Sequence, residues 1–132
     1  MPTFGSRSEE NLSTCADDIR FIAREAIKVI DFSVTCGHRT NEEQDDLYAS
    51  GRTKPGRIIT FKRGGESVHN TFPSLALDFA PYPIDWSDLV RFGVVAGVMK
   101  YIAWKEGIDM TWGGDWPNFK DYPHIQLRLR NA

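Results

Sequence analysis

An α+β domain, a small antiparallel sheet packed against helices, is what three observations in this chain predict. Apolar residues recur at helical spacing over 19–29 and 89–102. Short alternating or apolar runs stand at 32–36, 75–80, 108–112 and 123–129, and glycine and proline punctuate the intervals. The resulting order, αβαβαβ(β), suggests a sheet backed by helices. No internal repeat or linker is present, and residues 1–132 are expected to form one domain that buries roughly two-thirds of its unfolded surface.

Residues 1–11 are polar and are expected to be flexible. Ser13 or Thr14 then caps a helix, with Asp17 and Asp18 favourably placed in its first turn. Ile19, Ile22, Ala26 and Val29 mark its core face. Phe32 to Cys36 alternates as a half-buried strand does, and Gly37 turns the chain. Thr40 caps a short helix from Asn41 to about Ser50, and a glycine-rich loop spans Gly51 to Gly65. Leu75 to Ala80 reads as a strand ended by Pro81 and Pro83. Asp85 or Ser87 caps a long helix to Lys105 or Glu106, with Gly107 placed to stop it. Its stripe is Leu89, Phe92, Val95, Met99 and Ile102. Few charges interrupt its other faces, which predicts a central buried helix. Ile108–Trp112 and Pro123–Leu129 complete the sheet.

Composition narrows the function classes. With 41% hydrophobic and 26% charged residues the chain is ordinary for a soluble protein, and a net charge of −2 argues against a nucleic-acid partner. No apolar run follows a basic start, so no secretion signal is expected. The most apolar stretch, Phe92 to Trp104, is interrupted by Lys100 and too short to span a bilayer, so no membrane insertion is expected. Cys15 and Cys36 read as small buried hydrophobes or one bridge, not as metal ligands.

Chemistry concentrates in two segments, Ser67-Val68-His69 continuing to Ala76-Leu77-Asp78, and Asp121-Tyr122-Pro123-His124. Two imidazoles and a carboxylate, His69, Asp78 and His124, suit a divalent metal with one position left open, the mark of a catalytic site. Asp121 supplies a nearby carboxylate to move protons. Strand alternation supports this reading. Leu75, Leu77 and Phe79 share one face and Ala76, Asp78 and Ala80 the other, while Ile125, Leu127 and Leu129 lie opposite His124 and Gln126. Each strand would press apolar residues into the core and aim its ligand at a common cleft, with Ala76 and Ala80 leaving room for substrate.

Four stretches resemble the signature of the zinc peptidases of the hedgehog/D-Ala-D-Ala peptidase superfamily. They are Thr35-Cys36-Gly37-His38-Arg39-Thr40 with Gln44, Ser67 to Pro83, Trp112-Gly113-Gly114-Asp115-Trp116, and Asp121 to His124. The branch they resemble most cuts peptidoglycan and includes phage endolysins and L-alanyl-D-glutamate peptidases. One departure stands out. The commoner form separates His and Asp by seven residues, whereas His69 and Asp78 are nine apart, with Asn70 to Ser74 in the connection. A variant in phage-borne members is similar. It implies an intact metal site beside a reshaped cleft.

The resemblance implies one Zn²⁺ per chain on His69, Asp78 and His124, with Asp121 as general base then acid. It implies Arg39 as the cation at the growing carbonyl charge, with substrate contacts from Arg39, Ser67 and Gln44. Arg39 pairing with Glu42 or Glu43, and Ser67 as a turn residue, are the plainer alternatives. His38 is either a supporting group or solvent-exposed, and Asp115 either holds the Gly-Gly turn or orients His124. Trp112 and Trp116 read as core or cleft wall. The basic loop residues Arg52, Lys54, Arg57, Lys62 and Arg63 are either solvated or attract anionic cell-wall peptides.

The activity implied is hydrolysis of the peptidoglycan stem peptide at L-Ala–D-Glu by a monomeric phage-type endolysin. It would be made in the host cytoplasm and act on the cell wall or periplasm after release by another factor. A D-Ala-D-Ala carboxypeptidase and a non-catalytic zinc-containing binding domain are the competing readings, with a metal-dependent nuclease remoter.

Overall fold

The structure, a computed structural model, describes residues 2–128. Helices α1 (Ser6–Ser13) and α2 (Asp17–Ile27) lead to strand β1 (Phe32–Cys36) and helix α3 (Asn41–Ala49). Strand β2 (Ala76–Pro81), the long helix α4 (Leu89–Glu106), β3 (Met110–Trp112) and β4 (His124–Leu127) follow. The four strands form one antiparallel sheet in the order β1-β2-β4-β3, which is the α+β architecture the apolar pattern predicts.

Period-2 alternation decides which way this sheet faces. Leu77 and Phe79 of β2 and Ile125 of β4 are fully buried against Ile19, Ile22 and Ala26 of α2 and Phe92, Val95 and Met99 of α4. The Phe79 ring stands 6.2 Å from Phe32 and 5.7 Å from Phe92. Truncating such a ring to alanine costs about 3–5 kcal/mol, so this layer holds β2 firmly. The opposite face is left to Asp78, His124 and Gln126.

Several local expectations need correction. Residues 1–11 are not loose throughout: Ser6–Ser13 is helical and Ser8 is buried. Ser8 Oγ accepts from Val34 N at 3.0 Å and Asn11 Nδ2 donates to Val34 O at 2.9 Å, so α1 covers the open edge of β1. Ser8 and Asn11 are polar because they satisfy a strand, a role that hydropathy does not reveal. Thr14 and Ser13 do not cap α2, whose N-cap is Ala16. Val29 lies past the helix end and is 70% exposed.

Thr40 caps α3 as expected, and the structure adds a reciprocal bond in which Thr40 N donates to the Glu43 side chain. Asp88, not Asp85 or Ser87, caps α4, and Gly107 ends it at φ 70°. Helix α4 is buried along only one side. Phe92, Val95 and Met99 face the core, while Val90 is 78% and Trp104 77% exposed. Leu129, expected in the last strand, lies outside the described residues. Among the described residues, no helix is long and apolar enough to cross a membrane.

Candidate metal centre

Strand register brings the first two candidate ligands together. Asp78 of β2 and His124 of β4 are direct cross-strand partners, and Cys36 of β1 flanks Asp78 on the other side, next to a bulge in β1. His69 arrives from a 3-10 turn, Val68–Asn70, capped by the Ser67 hydroxyl accepting from His69 N. Two long-range bonds dock that turn. Arg39 N donates to His69 O at 2.8 Å, and His69 Nδ1 meets Gly37 O at 2.7 Å. Gly37 admits no side chain: a Cβ there would lie 2.2 Å from Asn11 O and 2.4 Å from Thr14 Oγ1. Helix α1 thus seats Gly37, and Gly37 seats His69.

Three atoms then form a nearly equilateral triangle. His69 Nε2 and His124 Nδ1 each lie 3.2 Å from Asp78 Oδ1 and 3.3 Å from one another. Ligand atoms on a tetrahedral metal with bonds of about 2.0–2.1 Å stand about 3.3 Å apart, so the donor set fits a tetrahedral divalent ion. The remaining ring nitrogens are tied off. His69 Nδ1 faces the Gly37 carbonyl, and His124 Nε2 lies 2.8 Å from Gln126 Oε1. Both bonds require a proton on those nitrogens, which leaves Nε2 of His69 and Nδ1 of His124 as lone-pair donors toward the centre.

The electrostatics also call for a cation. Burial works against a charged His69, but the hydrogen bonds to Asp78 and Cys36 outweigh it and raise its pKa. Burial likewise works against an ionised Asp78, yet hydrogen bonds to His124 and His69 hold its carboxyl well below the usual range. The pair favours a positive charge between them.

Asp121 stands just outside the triangle, its Oδ2 4.0 Å from His124 Nδ1 and its side chain 42% exposed. Burial and the neighbouring Asp78 push its pKa up. The Gly113-Gly114 turn seats it. Asp121 N donates to Gly113 O at 3.0 Å, and a Cβ on Gly113 would lie 2.3 Å from Asp121 O. Trp112 locks the same turn through an Nε1 bond of 2.8 Å to Tyr122 O. The Trp116 ring sits 5.3 Å from His124 as part of the cleft wall.

Arg39 lies 3.6 Å from Asp78 Oδ2 and donates to Gln44 Oε1 at 2.8 Å, so it faces the site and not Glu42 or Glu43. Ser67 lines the cleft. Gln44 is fully buried, with Oε1 taken by Arg39 and Nε2 donating to Lys62 O at 2.8 Å, which leaves it no surface for a ligand. Asp115 pairs with Lys100 and does not orient His124. His38 packs edge-on against Phe72 and does not line the cleft. Ala76 and Ala80 are buried completely and add no room to the cleft. Cys15 and Cys36 are free thiols, and burial pushes Cys15 up to about 12.

Of the basic loop, Arg52 stacks 3.8 Å from the Tyr48 ring, Arg63 reaches Tyr48 from 5.0 Å, and Lys54 pairs with Asp46. These cations hold the loop to α3. Phe61, at the loop's inner end, meets Phe119 at 4.7 Å over the cleft, whose volume is about 440 Å³. Gln126 carries a role that the apolar pattern does not assign. Its signal was the i, i+2 spacing from His124, which puts both on one face of the strand.

An α+β scaffold that presents two imidazoles and a carboxylate to an open cleft, with a second carboxylate beside them, defines a metal-site domain of the hydrolase type. The family described as "Phage L-alanyl-D-glutamate peptidase" matches residues 2–129, and the chain belongs to that family. It is 42% identical over 111 residues to the peptidoglycan L-alanyl-D-glutamate endopeptidase CwlK of Bacillus subtilis, covering 80% of this chain and 65% of that protein. The chain thus spans less than two-thirds of that relative's length. An L-alanyl-D-glutamate peptidase of Escherichia phage T5 is 32% identical, over 95% of this chain and 88% of its own. The crystal structure of the Serratia marcescens L-Ala D-Glu endopeptidase ChiX superposes with a TM-score of 0.71 at 25% identity, covering 96% of this chain and 90% of that one.

Proposed function

We propose that the protein is a zinc peptidase that cuts the peptide stem of bacterial peptidoglycan between L-Ala and D-Glu, as a phage-type endolysin. The triangle of His69 Nε2, Asp78 Oδ1 and His124 Nδ1, 3.2–3.3 Å on a side, carries this reading in a chain of this family. These three residues would hold one Zn²⁺. When bound, zinc lowers the pKa of a water toward about 7 and polarises the scissile carbonyl.

Asp121 takes the proton of the attacking water and returns it to the leaving amine. Its raised pKa favours the first half of that cycle, because a more basic carboxylate takes up the water's proton more readily. Arg39, beside Asp78, places positive charge where the carbonyl oxygen gains negative charge. Ser67 touches the stem peptide at the rim. Gln44 acts as a positioning residue that couples Arg39 to the backbone of Lys62. The same reading makes the protein a monomer, made in the host cytoplasm, that reaches the wall after another factor opens the way.

Digestion of purified peptidoglycan tests this, with new amino termini identified by mass spectrometry. The expected product begins with D-Glu and leaves alanine on the muramyl stub. Release of free D-alanine instead would make the protein a carboxypeptidase. Binding of zinc without any cleavage would make it a binding domain.

A further inference from the structure

Two lysines of the cleft, Lys62 and Lys120, have side chains with no assigned part, and Lys120 is the one held in place. Lys120 immediately precedes Asp121 and lines the same cleft as His69, Asp78 and His124. Lys28, Lys54 and Lys100 pair with Glu25, Asp46 and Asp115. Lys120 instead donates to two carbonyl oxygens, Gly114 at 3.1 Å and Trp116 at 3.0 Å. An ammonium has three N–H donors, so these bonds fix its position and leave one donor and the whole charge available. Arg39 lies deeper, beside Asp78 and bonded to Gln44, where the proposed function gives it the carbonyl oxygen.

The loop that carries Lys120 is held in place. Phe119 adopts φ 51°, a left-handed conformation that bulky residues avoid, and its ring packs edge-on to Phe61 across the cleft. Trp116, whose carbonyl anchors Lys120, lies with its ring beside the metal ligand His124. The free charge therefore stands on the rim that also carries Asp121.

The substrate of the proposed function has a matching group. Glutamate has two carboxyls and only one can continue the peptide, so the residue just past the scissile bond carries a free carboxylate whichever is used. We propose that Lys120 binds this carboxylate and makes the cleft select an acidic residue on the leaving side of the cut bond. The assignment rests on the peptidase reading above. Lys120 is a substrate-binding residue in it, not a proton carrier.

The test uses zinc-loaded enzyme and two muramyl peptides that differ only in whether the free carboxyl of D-Glu is the acid or its amide. A charge-assisted hydrogen bond predicts that wild type prefers the acid in kcat/KM by about 10- to 100-fold, mostly through KM. In Lys120→Met that preference should collapse to within about threefold, because the acid loses far more than the amide. Lys120→Gln, which keeps donors for the two carbonyls, should lose the preference equally, and Lys120→Arg should restore most of it. Zinc content and melting temperature report whether each variant is folded. Equal slowing of both peptides in the Met and Gln variants would reduce Lys120 to a loop brace and overturn the assignment. So would a preference that survives in them, or one that disappears in Lys62→Met instead. Cleavage of neither peptide by wild type would overturn the peptidase reading and this assignment together.

Discussion

The paired strands β2 and β4 and the loops around them build the same cleft by different physics. Asp78 and His124 sit opposite each other in a hydrogen-bonded ladder whose other face is the buried layer of Leu77, Phe79 and Ile125. Their separation is therefore set by strand register. Phe61, Phe119 and Lys120 sit on exposed loop segments held by an aromatic contact and carbonyl bonds. The strand pair suits a metal site, which tolerates little error in ligand position, and the loops suit a peptide, which must enter and leave. On the proposed function, the arrangement separates chemistry from selection.

Changes on the strand side should have the largest effects. His124→Ala removes one corner of the triangle, and metal analysis of the purified variant should find zinc lost along with cleavage. Retained stoichiometric zinc would mean that the ion sits elsewhere. Asp121→Asn should keep the metal and lower kcat by about 10²- to 10⁴-fold, since it removes only the proton carrier. A loss of zinc in that variant would make Asp121 a ligand.

Smaller effects sharpen the contrast. Gln126→Leu strips His124 Nε2 of its acceptor and should weaken metal affinity by about 10- to 100-fold in competition with a chelator. Ser8→Ala leaves Val34 N without its buried partner and should cost about 1–3 kcal/mol in denaturant unfolding. Activity per folded molecule should persist there, because α1 acts on the strand and not on the chemistry. Phe61→Ala should be mildest, removing an aromatic pair worth about 0.5–1.5 kcal/mol. It should appear in KM with zinc affinity unchanged. A change in zinc affinity would show that loop and strand regions are not separable.

Much of the centre was legible because its information is local. Alternation over Leu75 to Ala80 put Asp78 opposite the apolar face, and Pro123 to Leu129 did the same for His124. Thr40 and Gly107 announced one helix start and one helix stop. The expectations that failed involve partners distant in the chain. Ser8 and Asn11 look like loop residues until β1 lies beside them. Gln44 resembles a substrate contact until Arg39 and Lys62 enclose it. Asp115 turns to Lys100 because α4 passes nearby. Ala76 and Ala80 share a face with Asp78, yet packing closes over them.

Periodicity and the chemistry of individual side chains were enough to state the α+β class and to single out the two imidazoles and two carboxylates that the fold brings together. Each of those depends on residue type and on spacing of a few positions. The docking of His69 on the Gly37 carbonyl, the tying off of His124 by Gln126 and the free charge of Lys120 emerged only in three dimensions. Those properties depend on which distant groups take up a donor, an acceptor or a charge, and folding alone settles that competition.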